Sequence, residues 1–295
     1  MESNQPAESG QCYQFPVTTL LRLTGADRQK WLHNFCTADI KGLEPGQGCE
    51  AFILNVKGKT IAHAIILMSK FDLTLIVIGE PEINLVDHFN KYIISEDVQY
   101  EDIGDNHRLW YGNGNKLNLM FDKSLKDAPL FHHALVRDRS VAIRTRISGK
   151  PDWLLLVAVT EDLTQWYSGI TPIDDAGFDG LRFQGRWPIT GKDVTLDRLP
   201  QEFCRDETAI SFEKGCYLGQ ETVARIDAIG HVNYFVVQVK FAQDVQSQGF
   251  ELMKGEKSVG WVTSLAGAGG LGFVRRAHAK SGESFDSDFG PVVVV

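Results

Sequence analysis

A twelve-residue segment, KGCYLGQETVAR at residues 214–225, gathers several residue types that can do chemistry. Lys214 stands two positions before the thiol of Cys216, and Arg225 follows nine positions after it. A nearby cation favours the thiolate and lowers the pKa of a cysteine, which is what a reactive thiol requires. The segment therefore predicts a functional thiol at Cys216 that the lysine and the arginine activate.

Other residues of the segment are predicted to shape the surroundings of this thiol. Gly215 and Gly219 allow backbone conformations that other residues resist, and they let a ligand approach closely. Gln220 and Glu221 offer an amide and a carboxylate as hydrogen-bond partners. An alternative interpretation stays open, because a lone cysteine is commonly a small buried hydrophobe and the charged residues can form a solvated face with weak ion pairs.

Composition limits the classes of protein to which the chain can belong. Its 295 residues are enough for about two domains, and 43% hydrophobic with 23% charged residues is typical of a globular protein. The formal net charge is −8. This excess of negative charge argues against direct binding to nucleic acid or to an anionic membrane.

The spacing of the cysteines and the length of the apolar runs bear on where in the cell the protein is expected to lie. The five cysteines include no CxxC pair, which argues against a disulfide framework or a zinc site and favours a reducing environment. The first ten residues are polar and include two glutamates, and the longest apolar runs have the length of a strand. We therefore expect a cytoplasmic protein without a membrane span.

Hydrophobic patterning predicts an α+β fold class. The N-terminal part has the order β-α-β-β-β-α-β, with Asp27 capping the first helix, Gly58 in a tight hairpin and Pro81 opening the second helix. This order favours an antiparallel or mixed sheet with helices on one face. A similar unit follows, with strands at SVAIRTRI and WLLLVAV and a helix over residues 161–169.

The pattern of the sequence changes after Asn233, where short predicted strands alternate with glycine-rich and polar turns. This pattern predicts a small β-barrel or sandwich. GAGG at residues 267–270 is predicted to be a hairpin loop, because no strand-to-helix context surrounds it. We expect two lobes, at about residues 1–125 and 126–230, and a barrel at residues 231–295.

The segment KGCYLGQE at residues 214–221 resembles the K-G-C-Y-x-G-Q-E signature of the YgfZ-type folate-binding proteins. These are relatives of the aminomethyltransferase, or T-protein, of the glycine cleavage system. The family cysteine falls on Cys216, and Tyr217 falls on the aromatic position. Because LRFQGRWPITGKDVTLDRLPQE, GWVTSLA and LGFVRR are also similar to family segments, the resemblance covers nearly the whole chain.

The resemblance implies two ferredoxin-like α+β lobes and a C-terminal β-barrel around a central cavity for tetrahydrofolate or a derivative. It also implies a role in the assembly or repair of iron–sulfur enzymes, including enzymes that modify tRNA, with those enzymes or assembly factors as partners. A cluster normally needs about four thiolates. Any metal role of Cys216 would therefore be shared with a partner or a second copy of the chain.

Two departures from the family pattern bear on the ligand. The acidic residue that follows the hairpin in the aminomethyltransferases is replaced by Ala62 and His63, which argues against one-carbon transfer. A glutamate that faces the pterin is replaced by Gln184. Because charge-assisted hydrogen bonds are stronger than neutral ones, we expect pterin affinity to fall by about 1–3 kcal/mol.

Four residues are the candidate folate contacts: Asn55, Arg182, Gln184 and Glu202. Asn55 is equally well interpreted as a turn residue. Arg182 is predicted to pair with a ligand carboxylate or, as the favoured alternative, with Glu202. Two other functions stay open: a folate-dependent aminomethyltransferase or demethylase acting on a small amine, and a scaffold that has lost its ligand.

Overall fold

The computed structural model describes residues 10–137, 140–161, 169–247 and 249–295. The helix predicted over residues 161–169 falls mainly on residues 162–168, which lie outside this set. Strands are numbered in chain order: β1 (Gln11–Gln14), β2 (Thr18–Thr24), β3 (Gly48–Leu54), β4 (Thr60–Met68), β5 (Leu73–Ile78), β6 (Gln99–Asp102), β7 (His107–Gly112), β8 (His133–Arg137), β9 (Ser140–Thr145), β10 (Asp152–Ala158), β11 (Thr171–Pro172), β12 (Tyr234–Phe241), β13 (Glu251–Lys254), β14 (Lys257–Ala266), β15 (Gly269–Arg275), β16 (Ser284–Phe285) and β17 (Val292–Val294).

The described helices are short and connect or cover the sheets. They are α1 (Arg28–His33), α2 (Leu85–Asn90), α3 (Asn115–Met120), α4 (Lys123–Asp127), α5 (Asp175–Gln184), α6 (Asp206–Ala209) and α7 (Gln220–Ile229), with 3₁₀ turns at Pro200–Phe203 and Arg276–His278. None of the helices in the described ranges combines the length and the apolar character that a membrane crossing needs.

The first sheet has five antiparallel strands in the order β3-β4-β5-β2-β6. Trp31 and Leu32 of α1 and Leu85 and Phe89 of α2 pack on this sheet in one apolar core. Helix α1 begins directly after Asp27, as predicted, whereas α2 begins later in the chain than predicted. Helix α2 begins after Asn84, whose side chain accepts a hydrogen bond from the backbone N–H of Asp87, and not at Pro81. The Asp27 side chain makes no cap at α1.

The second sheet has six strands in the order β11-β1-β7-β10-β9-β8. Strand β1 precedes the first sheet in the chain but pairs with β7 and β11 of the second. The predicted division of the lobes near residue 125 therefore does not follow the sheets, because β1 and β7 join the later strands. An apolar core that includes Phe178 of α5 and Trp187 lies between the two sheets.

The C-terminal strands form a nearly closed barrel in the order β13-β14-β15-β12-β17-β16. Met253 and Asp286 exchange backbone hydrogen bonds of 2.8 and 2.9 Å, which join the two ends of this sheet. The GAGG segment lies at the hairpin between β14 and β15, as predicted, with residues 267–268 in the turn and its last two glycines at the start of β15. The α+β fold class with a C-terminal β-barrel is confirmed, whereas the central cavity stays a prediction.

Candidate functional site

Cys216 lies in the loop that leads into α7, and its side chain is exposed. Gly215 beside it is also exposed, and a Cβ atom built there would meet nothing within 4 Å. Within the described ranges no hydrogen bond or ion pair involves the sulfur of Cys216. The thiol is therefore open to solvent and to a partner.

Lys214 anchors this loop to the first lobe. Its Nζ donates hydrogen bonds of 2.6, 2.7 and 2.8 Å to the backbone carbonyls of His33, Cys36 and Ala38, at and after the C-terminal end of α1. The buried ammonium also lies 4.9 Å from the ring centre of Tyr217, and burial lowers its pKa. Because the backbone carbonyls hold this ammonium, the structure provides no support for the prediction that Lys214 activates Cys216.

Two glycines allow the signature loop, residues 214–219, to pack closely against the β3–β4 hairpin. Gly219 has a φ of +81°, and a Cβ atom there would lie 2.6 Å from the carbonyl oxygen of Asn55. Gly58 has a φ of +73°, and a Cβ atom there would lie 2.6 Å from Cβ of Thr222. Thr222 Oγ1 also donates a 3.0 Å hydrogen bond to the carbonyl of Lys57. The loop is thus held at both ends, and Cys216 lies between the anchors.

The remaining motif residues serve the local backbone or face solvent. Gln220 accepts a 3.3 Å hydrogen bond from the backbone N–H of Tyr217 through its side-chain oxygen, which closes the turn before α7. Glu221 and Arg225 are exposed on α7. Neither has an ion pair among the described residues, so the structure provides no support for activation of Cys216 by Arg225.

A buried charged cluster lies behind the hairpin, and sequence reasoning missed it. Glu50 on β3 is fully buried, and its carboxylate accepts hydrogen bonds from Arg205 and lies 2.6 Å from Nε2 of His63. Burial alone would raise the pKa of Glu50, but Arg205 and His63 lower it to about 2. A carboxylate does therefore lie beside His63, and it comes from the neighbouring strand.

Trp187 packs against His63 and Arg205 of this cluster. Its ring centre lies 4.7 Å from the ring of His63 and 4.7 Å from the guanidinium of Arg205, and its side chain is buried. The available signal was Glu50 within the otherwise apolar strand CEAFILN, since a buried glutamate requires a partner. Because Arg205 is 155 residues away in the chain, no local pattern could identify that partner.

Three of the four candidate folate contacts have internal partners. The Asn55 side-chain oxygen accepts hydrogen bonds from the backbone N–H groups of Lys57 and Lys59, as a turn residue does. Glu202 pairs with Arg198 at 3.3 Å. Gln184, at the C-terminal end of α5, is exposed.

Arg182 does not pair with Glu202, so that favoured pairing is wrong. Its guanidinium is fully buried and binds Asp179 and Asp193, the latter at 2.8 Å. Asp193 also accepts hydrogen bonds from the hydroxyl groups of Thr263 and Ser264. Asp179 lies on the same helix as Arg182, which is the local signal that sequence reasoning overlooked.

Comparisons with known proteins support the family resemblance. Residues 236–293 match the family model described as CAF17, C-terminal beta-barrel domain. A chloroplastic putative transferase of Arabidopsis thaliana is 28% identical over 90% of this chain and 65% of that protein. The tRNA-modifying protein YgfZ of Yersinia enterocolitica is 28% identical over 70% of this chain and 63% of that protein.

The fold has a close counterpart among solved structures. The aminomethyltransferase T of the glycine cleavage system from Bartonella henselae superimposes with a TM-score of 0.80, covering 97% of this chain and 85% of that one, at 16% sequence identity. The chain is therefore similar to the YgfZ-type proteins, and its fold is that of an aminomethyltransferase. It spans slightly less than two thirds of the length of the curated relatives named above.

The YgfZ-type signature thus lies on a fold shared with an aminomethyltransferase. Of the four candidate folate contacts, Asn55, Arg182 and Glu202 have partners within the protein, whereas the exposed side chain of Gln184 has no hydrogen bond or ion pair among the described residues. Among the described residues, no group of three or more histidine, cysteine, aspartate or glutamate side chains is placed to hold a metal ion.

Proposed function

We propose that this chain supports iron–sulfur enzymes that modify tRNA, with the exposed thiol of Cys216 as its functional group. The likeness to proteins called tRNA-modifying supports the biological context. We propose iron–sulfur enzymes or assembly factors as partners, and the reducing cytoplasm as the compartment.

The observation that carries this proposal is that the loop around Cys216 is held rigidly while the thiol itself is exposed. Lys214, Gly219 and Gly58 are fixed by backbone contacts at both ends of the loop, whereas Cys216 has an open side chain. A solvent-facing thiol on a rigid loop can transiently contact a metal cluster or exchange with a partner thiol. A single thiol cannot hold a cluster alone, so the remaining ligands come from the partner.

A matched pair of cysteine variants tests this role. Cells that lack the chain are supplied with Cys216→Ser or with Cys204→Ser, and the tRNA nucleosides made by iron–sulfur enzymes are measured by mass spectrometry. Cys204 is the suitable control because it is also exposed. We expect loss of these nucleosides with Cys216→Ser alone, at equal protein levels. Normal nucleoside levels with Cys216→Ser would reject the thiol role.

We further propose that the chain binds tetrahydrofolate weakly, with Gln184 as the exposed contact. Titration calorimetry with tetrahydrofolate tests this, and Gln184→Glu should tighten binding about tenfold because a carboxylate makes charge-assisted hydrogen bonds to a pterin. Gln238→Glu on the barrel is the control, and it should leave the affinity unchanged. If the wild-type protein releases no heat and its thermal midpoint does not shift, the scaffold alternative is favoured.

The aminomethyltransferase alternative has less support from this structure. The carboxylate nearest His63 is that of Glu50, and Arg205 already neutralises it in a buried site. Trp187 covers the same cluster. A one-carbon transfer needs a carboxylate that can reach the ligand, and this one is enclosed.

A further inference from the structure

A cavity of about 580 Å³ lies at the junction of the two lobes. Its walls come from four segments: the end of β1 with the connection to β2 at residues 13–17, the end of β5 with the residues after it at 78–82, the first turns of α5 at residues 175–179, and the connector at residues 189–192. None of the signature residues or candidate folate contacts lines it. Its volume is within the usual range for small-molecule sites.

Backbone contacts fix the walls of this cavity. The N–H of Gly79 donates to the carbonyl of Val17 at 3.1 Å, and the N–H of Thr190 donates to the carbonyl of Ile78 at 3.0 Å. Gly79 has a φ of +95°, and a Cβ atom there would lie 2.0 Å from the carbonyl oxygen of Thr190. The three segments are thus held at backbone contact distance, and the cavity is pre-formed.

One side of the cavity is aromatic. The rings of Tyr13 and Phe178 are stacked with their centres 4.6 Å apart, and Phe15 lies edge-on to both, at 5.2 and 4.9 Å. All three side chains are buried. Such a packed group offers a rigid apolar surface, and aromatic rings attract cations through their quadrupole.

The polar side of the cavity is strongly acidic. Glu80, Glu82, Asp175 and Asp179 line it, whereas Lys192 is the one cationic side chain of the lining. The Asp179 carboxylate is already paired with the buried guanidinium of Arg182, and the Lys192 ammonium lies 3.7 Å from it. Glu80, Glu82 and Asp175 therefore carry the uncompensated negative charge of the lining. The cavity therefore has a negative potential that attracts positively charged ligands.

The carboxylates of the lining differ in whether other groups of the protein already hydrogen-bond to them. Asp175 accepts a 2.9 Å hydrogen bond from the hydroxyl of Tyr13, and Glu82 accepts one of 2.9 Å from the backbone N–H of Leu196. Glu80 is exposed and has no hydrogen bond or ion pair among the described residues. Glu80 and the second oxygen of Glu82 are therefore the groups available to a ligand.

We propose that this cavity binds a small organic cation, an amine or quaternary ammonium ion on an apolar or aromatic body. The aromatic side accommodates the body, and Glu80 with Glu82 faces the charge. A folate is a poor match, because its carboxylate-bearing tail would meet the uncompensated carboxylates of Glu80, Glu82 and Asp175. The site is thus separate from the proposed tetrahydrofolate contact at Gln184 and independent of Cys216.

Titration of the full chain with three probes of similar size tests the sign of the ligand charge. The probes are benzyltrimethylammonium, benzyl alcohol and benzoate. We expect benzyltrimethylammonium to bind at least about fivefold more tightly than the neutral probe, from cation–π and carboxylate attraction, and benzoate not to bind. Equal affinity for all three probes, or no binding of the cation at concentrations of about 20 mM, a weak limit for a small ligand, would overturn the proposal.

Substitutions then test the location. The double variant Glu80→Gln/Glu82→Gln keeps the shape and the hydrogen bond to Leu196, and it should weaken binding of the cation about fivefold or more while leaving the thermal midpoint unchanged. Glu256→Gln, at an exposed turn of the barrel, is the control and should bind as the wild type does. Unchanged affinity in the double variant, or equal loss in the control, would place the cation elsewhere and contradict the proposal.

Discussion

At the scale of single residues, the signature divides into residues that anchor the loop and one exposed thiol, that of Cys216. Lys214 was expected to activate the neighbouring thiol, but its ammonium is held by three carbonyls around the end of α1. The motif could be found because the types and the spacing of its residues are visible in the sequence. It could not reveal the direction of the lysine side chain, because its partners lie 176 to 181 residues away.

Replacing Lys214 should destabilise the protein and loosen the loop. Lys214→Met leaves three buried carbonyls without their donor, and we expect the free energy of unfolding to fall by about 2–3 kcal/mol. Urea unfolding measures this change. Lys257→Met, at an exposed position of β14, should change stability little, and an equal loss in both variants would contradict the anchoring role.

At the scale of elements, the hairpin between β3 and β4 and the loop before α7 form one unit. Sequence patterning predicted the hairpin and the turn at Gly58, because alternating strands that flank a glycine are a local signal. It could not predict that Gly58 contacts Thr222 or that Gly219 contacts Asn55. Such contacts depend on how distant elements pack, and they leave no periodic trace in the sequence.

The two locking glycines should therefore be sensitive to a single added methyl group. Gly219→Ala combines a left-handed backbone with a clash against the backbone of Asn55, and we expect a loss of about 2 kcal/mol or more. Gly215→Ala is the matched control in the same loop, since open space surrounds that position. Chemical denaturation of both variants measures the difference in the free energy of unfolding. Equal stability of the two variants would contradict the close contact between Gly219 and the hairpin.

The Glu50 cluster predicts a specific dependence of stability on pH. The pKa of Glu50 is lowered to about 2, so the folded protein binds fewer protons at this group than the unfolded chain. Its contribution is therefore complete above the usual glutamate pKa of about 4.3 and is lost as the pH falls toward 2. Glu50→Gln should lower stability at neutral pH and flatten this loss between about pH 5 and pH 2.5.

Thermal or urea unfolding across that pH range provides the measurement. Glu44→Gln, at an exposed position of the same lobe, is the control and should keep the acid dependence of the wild type. If Glu50→Gln retained the full loss of stability in acid, the ion pair with Arg205 would not be its source.

At the scale of the whole molecule, Asp193 joins the barrel to the second lobe. It is almost fully buried and accepts hydrogen bonds from Arg182, from the backbone N–H of Ile189, and from Thr263 and Ser264 of β14. The change to short strands with glycine-rich and polar turns after Asn233 was sufficient to predict the barrel. The joint was not predictable, because it depends on one aspartate in an irregular connector.

Removing the charge of Asp193 should weaken the whole assembly. Asp193→Asn leaves the buried guanidinium of Arg182 with less compensation, and we expect a loss of about 3 kcal/mol in the free energy of unfolding. Asp288→Asn, at an exposed turn of the barrel, should be nearly neutral. Differential scanning calorimetry compares the two, and a wild-type midpoint for Asp193→Asn would show that the joint lies elsewhere.

The most direct test of the central claim is the rate at which each cysteine of the native protein reacts with iodoacetamide, followed by peptide mass spectrometry. Burial raises the pKa of Cys12 and Cys49, and raises those of Cys36 and Cys204 to about 11, although the Cys204 side chain as a whole is exposed. We expect Cys216 to react first, about a hundredfold faster than the buried thiols of Cys12 and Cys36, because access limits those two and the raised pKa of Cys204 limits its thiolate, the reactive form. Protection of Cys216 to the level of Cys36 would contradict the account, since a thiol that a small reagent cannot reach cannot act on a partner.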